Sequence, residues 1–183
     1  MRIIAGTAKR REIKVPKAVV RPTTDRTREA LFSMLQHHTA EAKVLDLFAG
    51  AGSLGMEALS RGAQSCDFVE QQGACQKVIR ENLASLQLPH GQVIGMDVLT
   101  FVKRNQSVYD IVFADPPYYK VPGDRDFASE LFEMPELLRA LGEGGLFVLE
   151  VDVKHEPEIP KSWELVDRRK YGGCSILILR AQS

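Results

Sequence analysis

The sequence predicts a doubly wound α/β fold with a mostly parallel sheet, and three observations predict it. From residue 43 onward, near-continuous apolar strands alternate with helical patterns, as in a sheet covered on both faces. One of these strands runs into a helix through the glycine-rich turn Asp46-Leu47-Phe48-Ala49-Gly50-Ala51-Gly52-Ser53-Leu54-Gly55. Another, over residues 109–114, ends directly in Asp115-Pro116-Pro117-Tyr118.

In chain order, Arg2-Ile3-Ile4-Ala5 and Glu12-Ile13-Lys14-Val15 alternate around a turn containing Gly6, and Pro16 stops the second run, so residues 2–16 read as a hairpin. Pro22-Thr23-Thr24-Asp25 carries helix-start chemistry, and Ala30, Leu31, Met34 and Leu35 then form one apolar face. Residues 44–48 make the first strand of the sheet, 54–59 a helix ending near Gly62, and 67–70 the second strand. An amphipathic helix spans 73–87, with Cys75, Val78, Ile79, Leu83 and Leu86 at helical spacing. Residues 92–94 form a short third strand, 98–102 a short helix, and 109–114 the fourth strand. A helix over 126–141, with Pro135 as a point of interruption, leads to a fifth strand at 145–150. Two final runs, 163–169 and 175–180, flank Gly172-Gly173 with no helix between them and predict an antiparallel pair at one edge.

Length and composition (183 residues, 44% hydrophobic, 26% charged) suit one globular domain with a substantial core. No apolar run approaches the ~20 residues of a membrane span, and residues 1–6 lack a signal-peptide core. Cys66, Cys75 and Cys174 form no C-x-x-C pair, and His37, His38, His90 and His155 show no ligand spacing. Neither a disulfide framework nor a metal site is expected, and the expected compartment is the reducing cytoplasm. Net charge is zero but unevenly spread: residues 1–28 carry nine basic and two acidic residues, net +7, and the remainder carries −7. That asymmetry points to a polyanion-binding face on an acidic body; a solvated surface segment is the alternative.

In a doubly wound sheet, ligands bind at the carboxyl ends of the strands. Gly50, Gly52 and Gly55 match G-x-G-x-x-G, a pattern shared by several nucleotide-binding sites. Phe48 and Ala49 belong to the same loop, whose backbone a ligand could approach closely. Glu70, twenty residues after Gly50, could accept hydrogen bonds from both ribose hydroxyls. Asp97 could accept from an adenine amine, with the Val98 amide meeting a ring nitrogen; a helix N-cap is an equally good reading of Asp97. Asp46 lies inside an apolar strand, where an acid is costly without a partner. A sulfonium and an α-amino group call for carboxylates, whereas a pyrophosphate does not, so Asp46 favours S-adenosylmethionine over NAD.

The second motif supports that choice. An exocyclic amine on an aromatic base is a poor nucleophile because its lone pair is delocalised into the ring. Acceptors on its N–H bonds free that pair, and Asp115 with the Pro116 carbonyl can supply two. Pro116 and Pro117 stiffen the backbone, and Tyr118 offers a stacking face. An ionised Asp115 only accepts, which suits the paired N–H donors of guanine N1 and N2. A base in a duplex cannot reach such a pocket, so the target is expected to be flipped out or unpaired. Arg10, Arg11, Arg21, Thr23 and Arg26 are the candidates for holding flanking phosphates.

These residues resemble the bacterial small-subunit (16S) rRNA guanine-N2 methyltransferases of the RsmD type. The resemblance rests on Arg2-Ile3-Ile4-Ala5-Gly6, on residues 21–32 beginning Arg21-Pro22-Thr23-Thr24-Asp25-Arg26, on residues 46–55, on Glu57-Ala58-Leu59-Ser60-Arg61-Gly62-Ala63, on Val69-Glu70 and on Asp115-Pro116-Pro117-Tyr118. It implies a Rossmann-like class I S-adenosylmethionine-dependent methyltransferase with a seven-stranded sheet. It implies a basic N-terminal hairpin over 1–20 ahead of a catalytic body over 21–183. It further implies 16S rRNA in the 30S subunit, or its assembly intermediate, as the substrate, and a monomer is the expected state. Three rivals stay open: methylation of a protein glutamine or another base, an NAD-dependent oxidoreductase, and a non-catalytic RNA-binding protein.

Overall fold

The computed structural model describes residues 1–17, 23–118 and 123–182. Helices α1 (Asp25–Met34) and α2 (Gln36–Thr39) precede a body that alternates β1 (Lys43–Leu47), α3 (Ser53–Ser60), β2 (Ser65–Val69), α4 (Gly73–Leu86), β3 (Gly91–Ile94), α5 (Val98–Arg104) and β4 (Tyr109–Ala114). Then come α6 (Phe127–Phe132), α7 (Pro135–Arg139), β5 (Leu141–Asp152), β6 (Trp163–Tyr171) and β7 (Cys174–Ala181). The seven strands form one sheet in the order β3-β2-β1-β4-β5-β7-β6. The first five pair in parallel, and β7 runs antiparallel to both β5 and β6. The chain lays β2 and β3 to one side of β1 and then returns to β1's other edge for β4, so the topological switch lies between β1 and β4.

Alternation along the strands sends side chains to two cores. Val44, Cys66, Phe68, Ile111, Phe113 and Val148 meet α1, α3 and α4 on one face. Leu45, Val69, Val112, Phe147 and Leu177 meet α5, α6 and α7 on the other. The helix expected over 126–141 is two helices, because Pro135 occupies the first turn of α7 and cannot continue α6. Strand β5 starts earlier than the apolar run suggested: Leu141 pairs with Tyr109 before an irregularity restores regular pairing at Leu146 with Ile111.

The hairpin read over residues 2–16 is reduced to a single antiparallel bridge, Arg2 with Glu12, beside the bonds Ile3 N to Arg11 O and Ile13 N to Met1 O. Most of what holds this arm comes from elsewhere. Ile3, Ala8 and Ile13 are buried in the α3/α4-side core. The buried Glu57 carboxylate of α3 accepts from Ile4 N (2.9 Å) and Ala5 N (3.0 Å), while Ser60 Oγ accepts from Ala8 N and donates to Ala5 O. Gly6 adopts φ 82° and sits so tightly on α3 that a Cβ would lie 1.7 Å from the Ser60 carbonyl oxygen, so only glycine fits. Asn82 of α4 exchanges two bonds with Lys14, and the buried Arg28 donates to Arg2 O at 2.6 Å.

Candidate active site

Sheet register brings the motifs to one rim. The outermost parallel pairs are Leu47 with Val69, Val69 with Ile94, Leu47 with Ala114 and Ala114 with Leu149. The next residues along these strands are Phe48, Glu70, Gly95, Asp115 and Glu150. Two acids, Asp115 and Glu150, therefore become lateral neighbours just across the switch point from the glycine loop.

On the glycine-loop side, Phe48 (φ 58°), Gly50 (φ 56°) and Gly52 (φ 77°) all take left-handed backbone conformations. For Phe48 that conformation is uncommon, and its ring packs edge-on against Phe127 with centroids 5.1 Å apart. The Ala49 amide donates to Val69 O at 3.1 Å, tying the loop to β2. Glu70 is nearly buried and braces the turn with both oxygens: Oε2 accepts from Gly50 N at 2.9 Å and Oε1 from Gln72 N at 2.8 Å. Gly55 is needed for packing, since a Cβ there would meet Phe68 Cε1 at 2.4 Å and Cys66 Sγ at 2.5 Å.

Asp46 is 2% exposed, and its Oδ2 accepts from Gly55 N at 3.0 Å. Burial, reinforced by the charge on Glu70 and partly offset by the Gly55 bond, pushes its carboxyl up to about 7. Asp97 caps α5, its Oδ1 accepting from both Thr100 N and Thr100 Oγ1 at 2.9 Å, and the Thr100 amide bond leads in holding its carboxyl low. Val98, the first residue of that helix, is buried beneath the cap.

On the β4 side, Pro116 is buried, Pro117 exposed, and Asp115 and Tyr118 half-buried. Thr23, which the sequence suggested for phosphate contact, has its hydroxyl between two carboxylates, 3.3 Å from Asp115 Oδ2 and 3.3 Å from Glu150 Oε2. The Tyr118 hydroxyl donates to Glu150 Oε1 at 2.7 Å. Burial, then the neighbouring Glu150 charge, raises the Asp115 carboxyl well above the usual range, and burial with the Glu150 bond raises the Tyr118 phenol. Glu150 is the site residue that motif reading missed. Its signal was the one that picked out Glu70: an apolar strand ending in an acid.

The basic candidates divide. Arg10 (φ 67°) and Arg26 are exposed. Arg11 donates from Nη1 to Leu86 O at 3.1 Å and from Nη2 to Ser85 O, so it caps the last turn of α4. Arg21 lies outside the described residues. Among the described residues no cluster of His, Cys, Asp and Glu could hold a metal ion, and no helix is long and apolar enough to cross a membrane. The three cysteines are buried.

A seven-stranded sheet with β7 reversed, a glycine loop after β1 and an Asp-Pro-Pro-Tyr segment after β4 defines the Rossmann-like class I methyltransferase fold. The Escherichia coli protein yhhF has this fold at TM-score 0.82, with 31% identity over 100% of this chain and 99% of that one. A more distant structure, SMU.776 complexed with SAH, shares the fold at TM-score 0.70 with 16% identity, over 87% of this chain and 50% of that one. The family model described as conserved hypothetical protein 95 matches residues 1–180. Ribosomal RNA small subunit methyltransferase D of Escherichia coli K12 is 35% identical over 175 residues, covering 94% of this chain and 85% of that protein. The chain belongs to this RsmD-type family.

Proposed function

We propose that this protein methylates the exocyclic N2 amine of a guanine in 16S rRNA, within the small ribosomal subunit or an assembly intermediate, using S-adenosylmethionine. One observation carries the reading: a half-exposed Asp115, steadied by Thr23, stands at the strand rim beside the glycine loop. Asp115 and the Pro116 carbonyl accept from the amine N–H groups and so free its lone pair, and the Tyr118 ring lies against the base. Positioning and electrostatics account for most of the rate.

The donor set fits the cofactor. Asp46, with a carboxyl at about 7 and no cation beside it among the described residues, gains from a positively charged ligand that would hold it ionised. Glu70, Asp97 and the amides near Phe48, Ala49, Gly50, Gly52 and Val98 are the groups that would hold the adenosine and amino-acid ends. When bound, S-adenosylmethionine supplies an electrophilic methyl group. Exposed Arg10 and Arg26, together with Arg21, are the phosphate contacts in this reading, while Arg11 and Thr23 act by shaping the arm and the site.

Labelled methyl transfer to 30S subunits from a strain lacking this protein, followed by nucleoside analysis, tests the reading. Label in N2-methylguanosine is the expected result. Label in adenosine or in protein overturns it.

A further inference from the structure

The contacts around Thr23 offer more acceptors than hydrogens. A threonine hydroxyl has one hydrogen to donate, yet Thr23 Oγ1 lies 3.3 Å from Asp115 Oδ2 and equally 3.3 Å from Glu150 Oε2. With both acids ionised, one of these contacts would set lone pair against lone pair. A single added proton completes the chain. Tyr118 donates to Glu150 Oε1, a proton on Glu150 Oε2 is donated to Thr23 Oγ1, and the Thr23 hydrogen is donated to Asp115 Oδ2. The opposite direction is equally complete: a proton on Asp115 Oδ2 is donated to Thr23, which donates to Glu150 Oε2. Adjacent carboxylates favour holding one proton between them. Burial and the Glu150 charge favour that proton on Asp115 when no amine is present. Among the described residues, the other titratable groups acting here include Asp46 of β1 and Cys174 at the start of β7, each anionic or neutral.

We propose that Asp115, Thr23 and Glu150 form a proton relay in which Glu150 takes up, across the Thr23 hydroxyl, the proton that Asp115 must shed to become acceptor-only toward the arriving amine. The proton balance is closed. Asp115 Oδ2 gives its proton to Thr23 Oγ1, Thr23 gives its own to Glu150 Oε2, and the hydroxyl is regenerated with no change in net charge. Glu150 never touches the substrate; it is a positioning residue acting through Thr23, with Tyr118 fixing its other oxygen. This inference rests on the reading of Asp115 as the amine's acceptor.

Two measurements test it, and the first needs no substrate. In the protein labelled with ¹³C at its Asp carboxyls, NMR titration should show Asp115 keeping its proton well above the usual carboxylate range. An Asp115 carboxyl that ionises in the usual carboxylate range overturns the relay whatever the enzyme methylates. The second measurement is methylation of 30S subunits. Glu150→Ala should lower kcat about tenfold or more with KM for the subunit within about twofold. Glu150→Gln keeps the contacts to Thr23 and Tyr118 but offers no carboxylate to take the proton, and should lose as much as Glu150→Ala, whereas Glu150→Asp should retain part of the activity. Thr23→Val should behave like Glu150→Ala, and Thr23→Ser should restore activity. Wild-type kcat in folded Glu150→Gln overturns the proposal. A wild type that methylates no RNA defeats the functional reading, while the carboxyl titration still judges the relay.

Discussion

Replacing Asp46 by asparagine should make the ligand-free protein more stable at alkaline pH. Asp46 is 2% exposed, and its carboxyl is raised to about 7 from a reference of 3.8. Between those two values the folded protein keeps a proton that the unfolded chain has released. The contribution is therefore fully present below pH 4 and is lost as pH rises through 7. A gap of roughly 3 units at about 1.36 kcal/mol each corresponds to about 4 kcal/mol over the whole window. About 3 kcal/mol of that falls between pH 5 and pH 8. Asparagine stays neutral throughout, and its carbonyl still accepts from Gly55 N. Urea denaturation of both proteins at pH 5 and pH 8 should show the variant's relative stability growing by about that amount. A stability difference independent of pH, or a variant that loses ground at pH 8, would refute the assignment of a protonated, buried Asp46. The same proton should be released on cofactor binding, so S-adenosylmethionine should bind the wild type more tightly at pH 8 than at pH 6, a dependence that Asp46→Asn abolishes.

Three further outcomes are expected. Gly55→Val should cost about 1–3 kcal/mol in chemical denaturation, because the added carbons meet Phe68 and Cys66 where α3 crosses β2. Glu57→Ala leaves the Ile4 and Ala5 amides and the Arg61 guanidinium without their acceptor; about 3 kcal/mol is expected, with hydrogen exchange accelerated at Ile4 and Ala5 before the rest of the chain. Removing Arg10 and Arg26 together should lower the slope of log K for RNA binding against log salt by about 1.4 and leave cofactor affinity unchanged.

Much of the sheet was legible because its strands are apolar on both faces, and the proline inside residues 126–141 marked a real break. The start of β5 was not legible: Leu141–Gly144 joins through a register irregularity that no local pattern encodes. The arm was read as a ladder because its residues alternate, yet its amides bond to Glu57 and Ser60, more than fifty positions away. Such partners leave no periodic trace. The candidate site shows the same limit. Asp115 and Glu70 stand out as acids ending apolar strands, but the neighbour that ties Asp115 to Glu150 is Thr23, separated from them by 92 and 127 residues. Its place beside a helix start and several arginines suggested a surface role, and only the folded chain carries it to the strand ends.

Asn82 has a consequence reaching beyond its own helix. Its side chain holds Lys14 of the arm by two bonds, and its Nδ2 also points at the Ala51 carbonyl of the glycine loop, 3.5 Å away. One wholly sequestered amide thus links the backbone at Lys14, on the returning run of the arm, to the turn where a nucleoside would lie. Through these bonds the arm and the glycine loop share one buried anchor, so removing residues 1–17 would strip the Asn82 side chain of two of its three bonds and leave only the long contact to the loop.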